Sequence, residues 1–257
     1  MSMADSFDAD WLSLREGVDA QSRCRPLAQA FLTAVAQGGS RPILDLGCGT
    51  GANLRYLRQV AGKPFDAVAV DRDPLLLARL RADLPWVETL EADLTALDRL
   101  PWDRIGGVTC SALLDLVSAS WMQALMARLA AHRLPFLAAL SVDGQHDFTP
   151  PQELDETVSI AFSGDQRRDK GFGGPSLGPL APDQALAAAR AAGMRVEAAD
   201  TPWQLSADRD GPLLRAFLQG YGLGRPQAAP WLADRLAALA AGALSLRVGH
   251  RDILATL

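Results

Sequence analysis

Ile43-Leu44-Asp45-Leu46-Gly47-Cys48-Gly49-Thr50-Gly51 is a short apolar run that ends in three glycines at alternate positions. Glycines at the end of a strand let the backbone turn tightly and approach a ligand with no Cβ in the way. Beyond them, Ala52, Leu54, Tyr56, Leu57 and Val60 recur at helical spacing, which predicts a helix whose first turn offers free N–H groups to the loop. Strand, glycine loop and helix in that order open a doubly wound α/β domain.

The same rhythm extends outward. Strands are expected at 65–70, 87–92, 105–112 and 134–142, with helices at 74–84 and 121–131 between them. Runs that are apolar on both faces and separated by helices mean a parallel sheet covered on both sides. Ligands of such sheets bind at the carboxyl ends of the strands. After position 142 the pattern breaks. Residues 143–181 are rich in Gly, Pro, Asp and Arg, which reads as an insertion or lid. A helix at 182–192, a sixth strand at 195–199, a helical insertion over 212–241 (segments 212–221 and 227–241) and a last strand at 245–254 follow. Residues 8–36 read as a helical cap across the ligand edge. No linker divides the chain, so 1–257 is expected to be one domain: a Rossmann-like, mostly parallel sheet with helices on both faces.

Composition removes several classes. Net charge is −5, and no Lys/Arg-rich run occurs, against a protein that binds by neutralising nucleic-acid phosphates. Cys24, Cys48 and Cys110 lie far apart and give neither a disulfide framework nor metal spacing, so no metal is expected. The first ten residues lack the cationic-then-apolar order of a signal peptide, and no apolar stretch would span a bilayer. The expectation is a cytoplasmic, reduced protein with no nucleic-acid or membrane partner, monomeric or a homodimer. The Ala/Leu-rich helix at 231–241 could serve a partner or its own sheet.

The glycine loop alone admits two cofactors, because Gly47, Gly49 and Ala52 also fit G-x-G-x-x-A, an NAD(P) pattern. Three acids at successive strand ends shift the balance. Asp45 lies inside the first strand, where it would repel a pyrophosphate but could accept a bond from an amino-acid ammonium. Asp71 ends the second strand, suited to ribose hydroxyls in either case. Asp93 ends the third, suited to an adenine amino group. Together they favour a nucleoside without phosphate.

The stretch 43–51 resembles the first motif of class I S-adenosylmethionine-dependent methyltransferases. The resemblance covers about 40–145 well and 182–257 in outline. It implies a seven-stranded sheet whose last strand is antiparallel. For cofactor binding it implies Asp45, Gly47, Cys48, Gly49, Gly51 and Asn53 at the loop, Asp71 and Arg72 at the ribose, Asp93 and Leu94 at the adenine, and Ser111 near the methionine part. Arg23 or Arg15, on the segment before the first strand, could meet the methionine carboxylate, and Arg15 is also an acceptor candidate.

The implied reaction is in-line methyl transfer, in which the protein mainly positions and desolvates the acceptor. No Asn/Asp-Pro-Pro-Tyr/Phe segment follows the fourth strand, and no Pro-Cys nucleophile is present; a small-molecule acceptor is the default. Asp115 could act as a base or cap the next helix. Asp143 and His146 follow the fifth strand, with His146 either a general base or an exposed loop histidine. Arg167, Arg168, Lys170 and Phe172 form an expected mobile acceptor clamp. Competing readings are an NAD(P)-dependent oxidoreductase, a non-catalytic S-adenosylmethionine-binding module, and a protein or RNA methyltransferase.

Overall fold

A computed structural model describes residues 9–39, 41–222, 225 and 228–257. Residue 8 of the expected cap, and 223–224 and 226–227 of the expected helical insertion, lie outside the described residues.

The cap is two helices, α1 (Ala9–Ser22) and α2 (Arg25–Gln37). Pro26 stands in the first turn of α2, where its missing N–H costs nothing but where an unbroken helix could not pass. Next come β1 (Ile43–Leu46), α3 (Ala52–Ala61), β2 (Ala67–Asp71), α4 (Pro74–Asp83), β3 (Val87–Glu91), β4 (Gly107–Ser111) and α5 (Ala119–Ala131). Asp73 caps α4 by accepting from Leu75 N at 2.8 Å, with Pro74 behind it. β5 (Phe136–Thr149), α6 (Asp155–Gln166), α7 (Ala181–Ala191), β6 (Arg195–Asp200), β7 (Trp203–Ser206), α8 (Ala207–Gly222), α9 (Ala229–Ala240) and β8 (Ser245–Thr256) complete the chain.

The sheet order is β3-β2-β1-β4-β5-β8-β6, with β7 pairing to β8 as an eighth strand. β1 to β5 are mutually parallel, and β8 runs antiparallel to β5 and β6. The expected seven-strand arrangement is present. β7 is an addition that the sequence reading passed over, because four residues, Trp203-Gln204-Leu205-Ser206, follow the sixth strand after only Thr201 and Pro202.

Strand side chains alternate between two cores. Leu44, Leu46, Val108, Phe136 and Ala138 pack with Trp121, Leu125 and Ala185 of α5 and α7. Ile43, Leu137 and Leu254 pack on the other face with Phe31 of α2 and Leu57 of α3. Asp45, two residues from Ile43, falls on that second face.

The region 143–181 departs from the expected irregular insertion. β5 continues through Asp143 and His146 to Thr149, pairing with β8 (His146 with Val248, Phe148 with Leu246). The strand crosses an irregularity between Val142 and His146, where Gly144 takes φ +82°. A strand broken by Asp-Gly reads locally as a turn; pairing with β8 overrides that signal. The far end of the paired β5 and β8, with β7, carries a separate core of Phe148, Trp203, Leu214, Tyr221 and Trp231 beneath α6, α8 and α9. Helix α9 turns Trp231, Arg235 and Leu239 inward; Arg235 is paired to Asp155 and bonded to the carbonyl of Pro150 at 2.6 Å. This face of α9 packs within its own fold. Among the described residues no helix is long and apolar enough to cross a membrane.

Candidate functional site

Strand order reverses between β1 and β4, and the glycine loop leaves β1 at that switch point. Gly47, Gly49 and Gly51 take φ of +63°, +53° and +88°, conformations that L residues with a Cβ occupy at a cost. A Cβ on Gly51 would stand 2.8 Å from Leu84 Cδ1. Cys48 N bonds to the Val70 carbonyl at 3.0 Å, tying the loop to β2. Burial pushes the Cys48 thiol far above its ordinary range, so it stays protonated.

Asp71 holds the loop as well as offering a ligand site. Its Oδ2 accepts from Gly49 N at 2.9 Å and its Oδ1 from Asp73 N at 3.0 Å. A carboxylate has further lone pairs to spend. Asp93 is exposed and forms a turn with Thr95, accepting from its N and Oγ1 at 2.8 Å each. The Thr95 N–H bond holds its carboxyl below the usual range. Leu94 is buried, and its carbonyl accepts from Trp121 Nε1 at 2.7 Å. Arg72 is exposed between Asp71 and Asp73.

Behind the loop lies a buried polar network. Asp45, fully buried, accepts from Asn53 Nδ2 at 2.7 Å. Asn53 Nδ2 also reaches Thr109 Oγ1 at 3.2 Å, and Asn53 Oδ1 accepts from Arg23 at 2.6 Å. The Arg23 guanidinium lies 4.1 Å from the Tyr56 ring centroid. Three buried atoms of this network have no partner: Asp45 Oδ2, Arg23 Nε and Arg23 Nη2. Desolvation raises the Asp45 carboxyl to about 7, offset in part by the Asn53 bond and the Arg23 charge, and reinforced by Asp71. A cavity of about 110 Å³ adjoins the network, lined by Arg23, Asn53, Tyr56, Ser111, Leu140 and Asp19 among others. A larger cleft between α5 and α7 has no charged lining residue and lies away from the loop.

Sequence reading missed the group that pins this region. Asp252 of β8, 1% exposed, accepts from Cys24 N and Leu140 N at 2.9 Å each and from Thr201 Oγ1 at 3.2 Å. It joins the α1–α2 junction to β5 and to the segment before β7. Leu140 takes φ +53° and Ala112, just past β4, φ +51°; such non-glycine strain persists where surrounding contacts hold it. An acid next to the apolar run Ile253-Leu254 was the available signal.

Two elements close over the loop. A Cβ on Gly49 would stand 3.2 Å from Leu12 Cδ1 of α1, and one on Gly47 3.2 Å from Leu113 Cδ1. One turn beyond Leu12, Arg15 pairs with Asp19 at 2.7 Å and lies 5.1 Å from the Trp203 ring centroid. Two residues beyond Leu113, Asp115 is buried. It does not cap α5: Ser118 does, accepting from Trp121 N at 3.2 Å.

The expected mobile clamp is stitched down. Leu177 N bonds to Val117 O at 2.8 Å, Gly178 N to Asp115 O at 2.9 Å, Ser176 Oγ to Leu116 O at 2.8 Å, and Ser118 Oγ to Phe172 O at 2.7 Å. Phe172 meets Trp121 edge-on. Arg167 and Arg168 face outward, whereas Lys170 is half-buried. His146 is no loop histidine. Its ring is surrounded by Phe162, Phe217 and Tyr221, its Nδ1 is buried without a partner, and desolvation lowers its pKa to about 4. Asp143 accepts from Gln145 N at 2.9 Å within the irregularity of β5.

Residues 43–135 match the family model described as a methyltransferase domain. Over those residues, which hold the glycine loop, Asp71, Asp93 and Asp115, the chain is similar to methyltransferase domains. The match agrees with the methyltransferase reading of the glycine loop rather than the NAD(P) one. A search of curated proteins finds no match. Among solved structures, the chain is similar to a mycolic acid cyclopropane synthase complexed with SAH and CTAB, at TM-score 0.50 and 14% identity over 89% of this chain and 83% of that one. It is also similar to a cyclopropane synthase from Mycobacterium tuberculosis (0.47, 12%, 88% and 83%), and to a geranyl diphosphate methyltransferase in complex with GPP and sinefungin (0.46, 10%, 89% and 77%). At such identities the first likeness speaks to the fold alone.

Proposed function

We propose that this methyltransferase moves a methyl group from S-adenosylmethionine to a small-molecule acceptor by in-line displacement. The observation that carries the reading is the set of unpartnered atoms in the network behind the glycine loop. Two open donors on Arg23 and one open acceptor on Asp45 match the carboxylate and the ammonium of an α-amino acid. Buried polar groups are ordinarily paired, so these atoms fit a ligand that brings both charges. A pyrophosphate would set its charge against Asp45.

On this reading Gly47, Cys48, Gly49 and Gly51 cradle the cofactor, with Asn53 bridging Arg23 and Asp45. Asp71 receives the ribose hydroxyls, flanked by Arg72. Asp93 and the backbone at Leu94 take the adenine. Ser111 lies beside the methionine part. The cofactor supplies a methyl group activated on a sulfonium; the chain's task is to position the acceptor and keep water away. Leu12 and Leu113 serve the second purpose. Net charge −5 and the absence of a basic run favour a small acceptor over RNA.

Titration calorimetry tests the reading. S-adenosylhomocysteine is expected to bind and NADPH is not. Arg23→Met is expected to weaken S-adenosylhomocysteine by about 10- to 100-fold, the worth of a charged hydrogen bond, and to leave 5′-methylthioadenosine, which lacks the amino-acid end, unchanged. Equal loss for both ligands would remove Arg23 from the carboxylate, and binding of NADPH alone would refute the function.

A further inference from the structure

β5 and β8 are antiparallel neighbours whose register slips at the ligand edge. Ala138 pairs with Ile253 and Ser141 with Arg251, so Ala139 and Leu140 together stand opposite Asp252 alone. Two residues against one make a β-bulge, which interrupts the ladder and re-aims side chains of the bulged strand. Leu140 takes φ +53° there and lines the cavity at the glycine loop. Leu140 N donates to Asp252 Oδ1 at 2.9 Å, so the residue opposite the bulge supplies it with a side-chain acceptor.

The other oxygen serves a different segment. Oδ2 accepts from Cys24 N at 2.9 Å, at the junction of α1 and α2, and Cys24 is the chain neighbour of Arg23. Arg23 lines the same cavity as Leu140 and carries the buried, unpartnered Nε and Nη2. Its head is gripped by Asn53 Oδ1 at 2.6 Å and by the Tyr56 ring at 4.1 Å. Asp252 itself is 1% exposed and is no part of the cavity lining.

We infer that Asp252 is a positioning residue for the amino-acid end of the cofactor: its carboxylate ties the base of Arg23 to the carboxyl end of β5. The inference rests on the methyltransferase reading and adds to it a residue that acts without touching the ligand. Two main-chain N–H groups from distant segments converge on one point. Left unpaired, each would be costly, and a carboxylate has an oxygen for each. With both bonds made, the backbone that carries Arg23 is fixed relative to the strand end, and so is the direction of the two open donors. The strain at Leu140 belongs to the same device, since such backbone persists only where its surroundings over-determine it. Thr201 Oγ1, 3.2 Å from Oδ1, adds a bond that leads toward β7 and forms neither end of the tie.

Asparagine has nearly the same shape but a single acceptor oxygen. In Asp252→Asn, whichever way the side chain turns, either Cys24 N or Leu140 N meets an amide N–H, and one end of the tie is lost.

Calorimetry of the full chain tests the assignment. Asp252→Asn should weaken S-adenosylhomocysteine about 10-fold and leave 5′-methylthioadenosine within about twofold, which also shows that the variant folds. In the Arg23→Met background the same substitution should change S-adenosylhomocysteine by less than about twofold, because no charged donor remains to be placed. Thr201→Val should lower the melting temperature yet keep S-adenosylhomocysteine affinity within about twofold. A further measurement needs no variant. In the wild type, the Cys24 and Leu140 amide hydrogens should exchange about 10-fold more slowly with S-adenosylhomocysteine than with 5′-methylthioadenosine at equal saturation, because opening the tie releases Arg23 from the ligand. Four results overturn the assignment: Asp252→Asn that weakens both ligands alike or neither, an undiminished effect in the Arg23→Met background, an equal loss from Thr201→Val, or exchange that both ligands slow alike. A wild-type chain that binds no S-adenosylhomocysteine, or an Arg23→Met variant that binds it undiminished, overturns the underlying reading instead.

Discussion

Replacing Asp45 by Asn should make the ligand-free protein more stable and the cofactor site worse. Asp45 is fully buried, and desolvation raises its carboxyl from the ordinary 3.8 to about 7. In the folded protein the proton is thus held more tightly than in the unfolded chain. Below about pH 3.8 both states carry it and the residue is neutral to stability. Between 3.8 and 7 the unfolded chain has lost the proton and the fold has not, so stability falls by 1.36 kcal/mol per pH unit. Above 7 the penalty levels off at about 4 kcal/mol. Asn carries no such charge. Its carbonyl can still accept from Asn53 Nδ2, while its amide group would lie unpartnered where Oδ2 now is, at a cost of about 1–3 kcal/mol. The net expectation at pH 8 is a gain of about 1–3 kcal/mol, turning to a loss of about 1–3 kcal/mol at pH 4, where Asp45 carries its proton in both states. Chemical denaturation of both proteins at pH 4, 6 and 8 measures it. The same variant should bind S-adenosylhomocysteine about 10- to 100-fold more weakly, because the ammonium loses its charged partner. In wild type, ligand binding at pH 7 should release protons, which calorimetry detects in buffers of different ionisation enthalpy. Wild-type stability that is flat from pH 4 to 8, together with undiminished ligand affinity in the variant, would refute the reasoning.

Asp71→Ala should weaken S-adenosylhomocysteine by about 1–3 kcal/mol, since it removes both the proposed ribose acceptor and the bond that fixes Gly49 N; Asp71→Asn, which keeps one oxygen, should lose less by calorimetry. Asp252→Ala strands Cys24 N, Leu140 N and Thr201 Oγ1 and should cost about 3–5 kcal/mol in denaturant unfolding; a loss under 1 kcal/mol would mean those groups find other partners. His146→Phe tests packing against catalysis. The lowered imidazole pKa of about 4 means that stability from the neutral ring is full above 6.5 and is lost as pH falls toward 4. The variant should keep wild-type turnover and lose that acid sensitivity in melting curves at pH 5 and 7; a 100-fold drop in rate would restore His146 as a base.

The first half of the fold was legible because its signals are local. Four of the five parallel strands, β1, β2, β4 and the start of β5, are buried on both faces and have no reason to alternate, so each appears as an apolar run, while the edge strand β3 is half-exposed and reads more weakly; Gly, Pro74 and Asp73 mark the ends. The second half was not. β5 passes through Asp143-Gly144, which reads as a stop, and continues only because β8 pairs with it a hundred residues later. Likewise α6 has a single buried apolar residue, Val158, and shows no periodic stripe that could have revealed it. Non-local pairing and weak amphipathicity leave little trace in a single sequence.

The site divides along the same line. The glycine loop, Asp71 and Asp45 follow from strand ends, where chemistry and position coincide. Asp252, and the contact of the turn at Asp115 with the segment at Gly178, depend on which distant segments meet. Asp115 illustrates the difference. Read locally, a carboxylate shortly before a helix is a cap, yet Ser118 fills that role three residues later, leaving Asp115 buried with its charge unspent. Burying an ionised carboxylate that caps nothing is expensive, and a fold tolerates that cost most readily at a site where a ligand can use the charge. The same logic applies to Asp45 and Arg23 behind the loop. Unspent polar groups at the carboxyl edge of β1 and β4, rather than the glycines themselves, carry the information about what binds there.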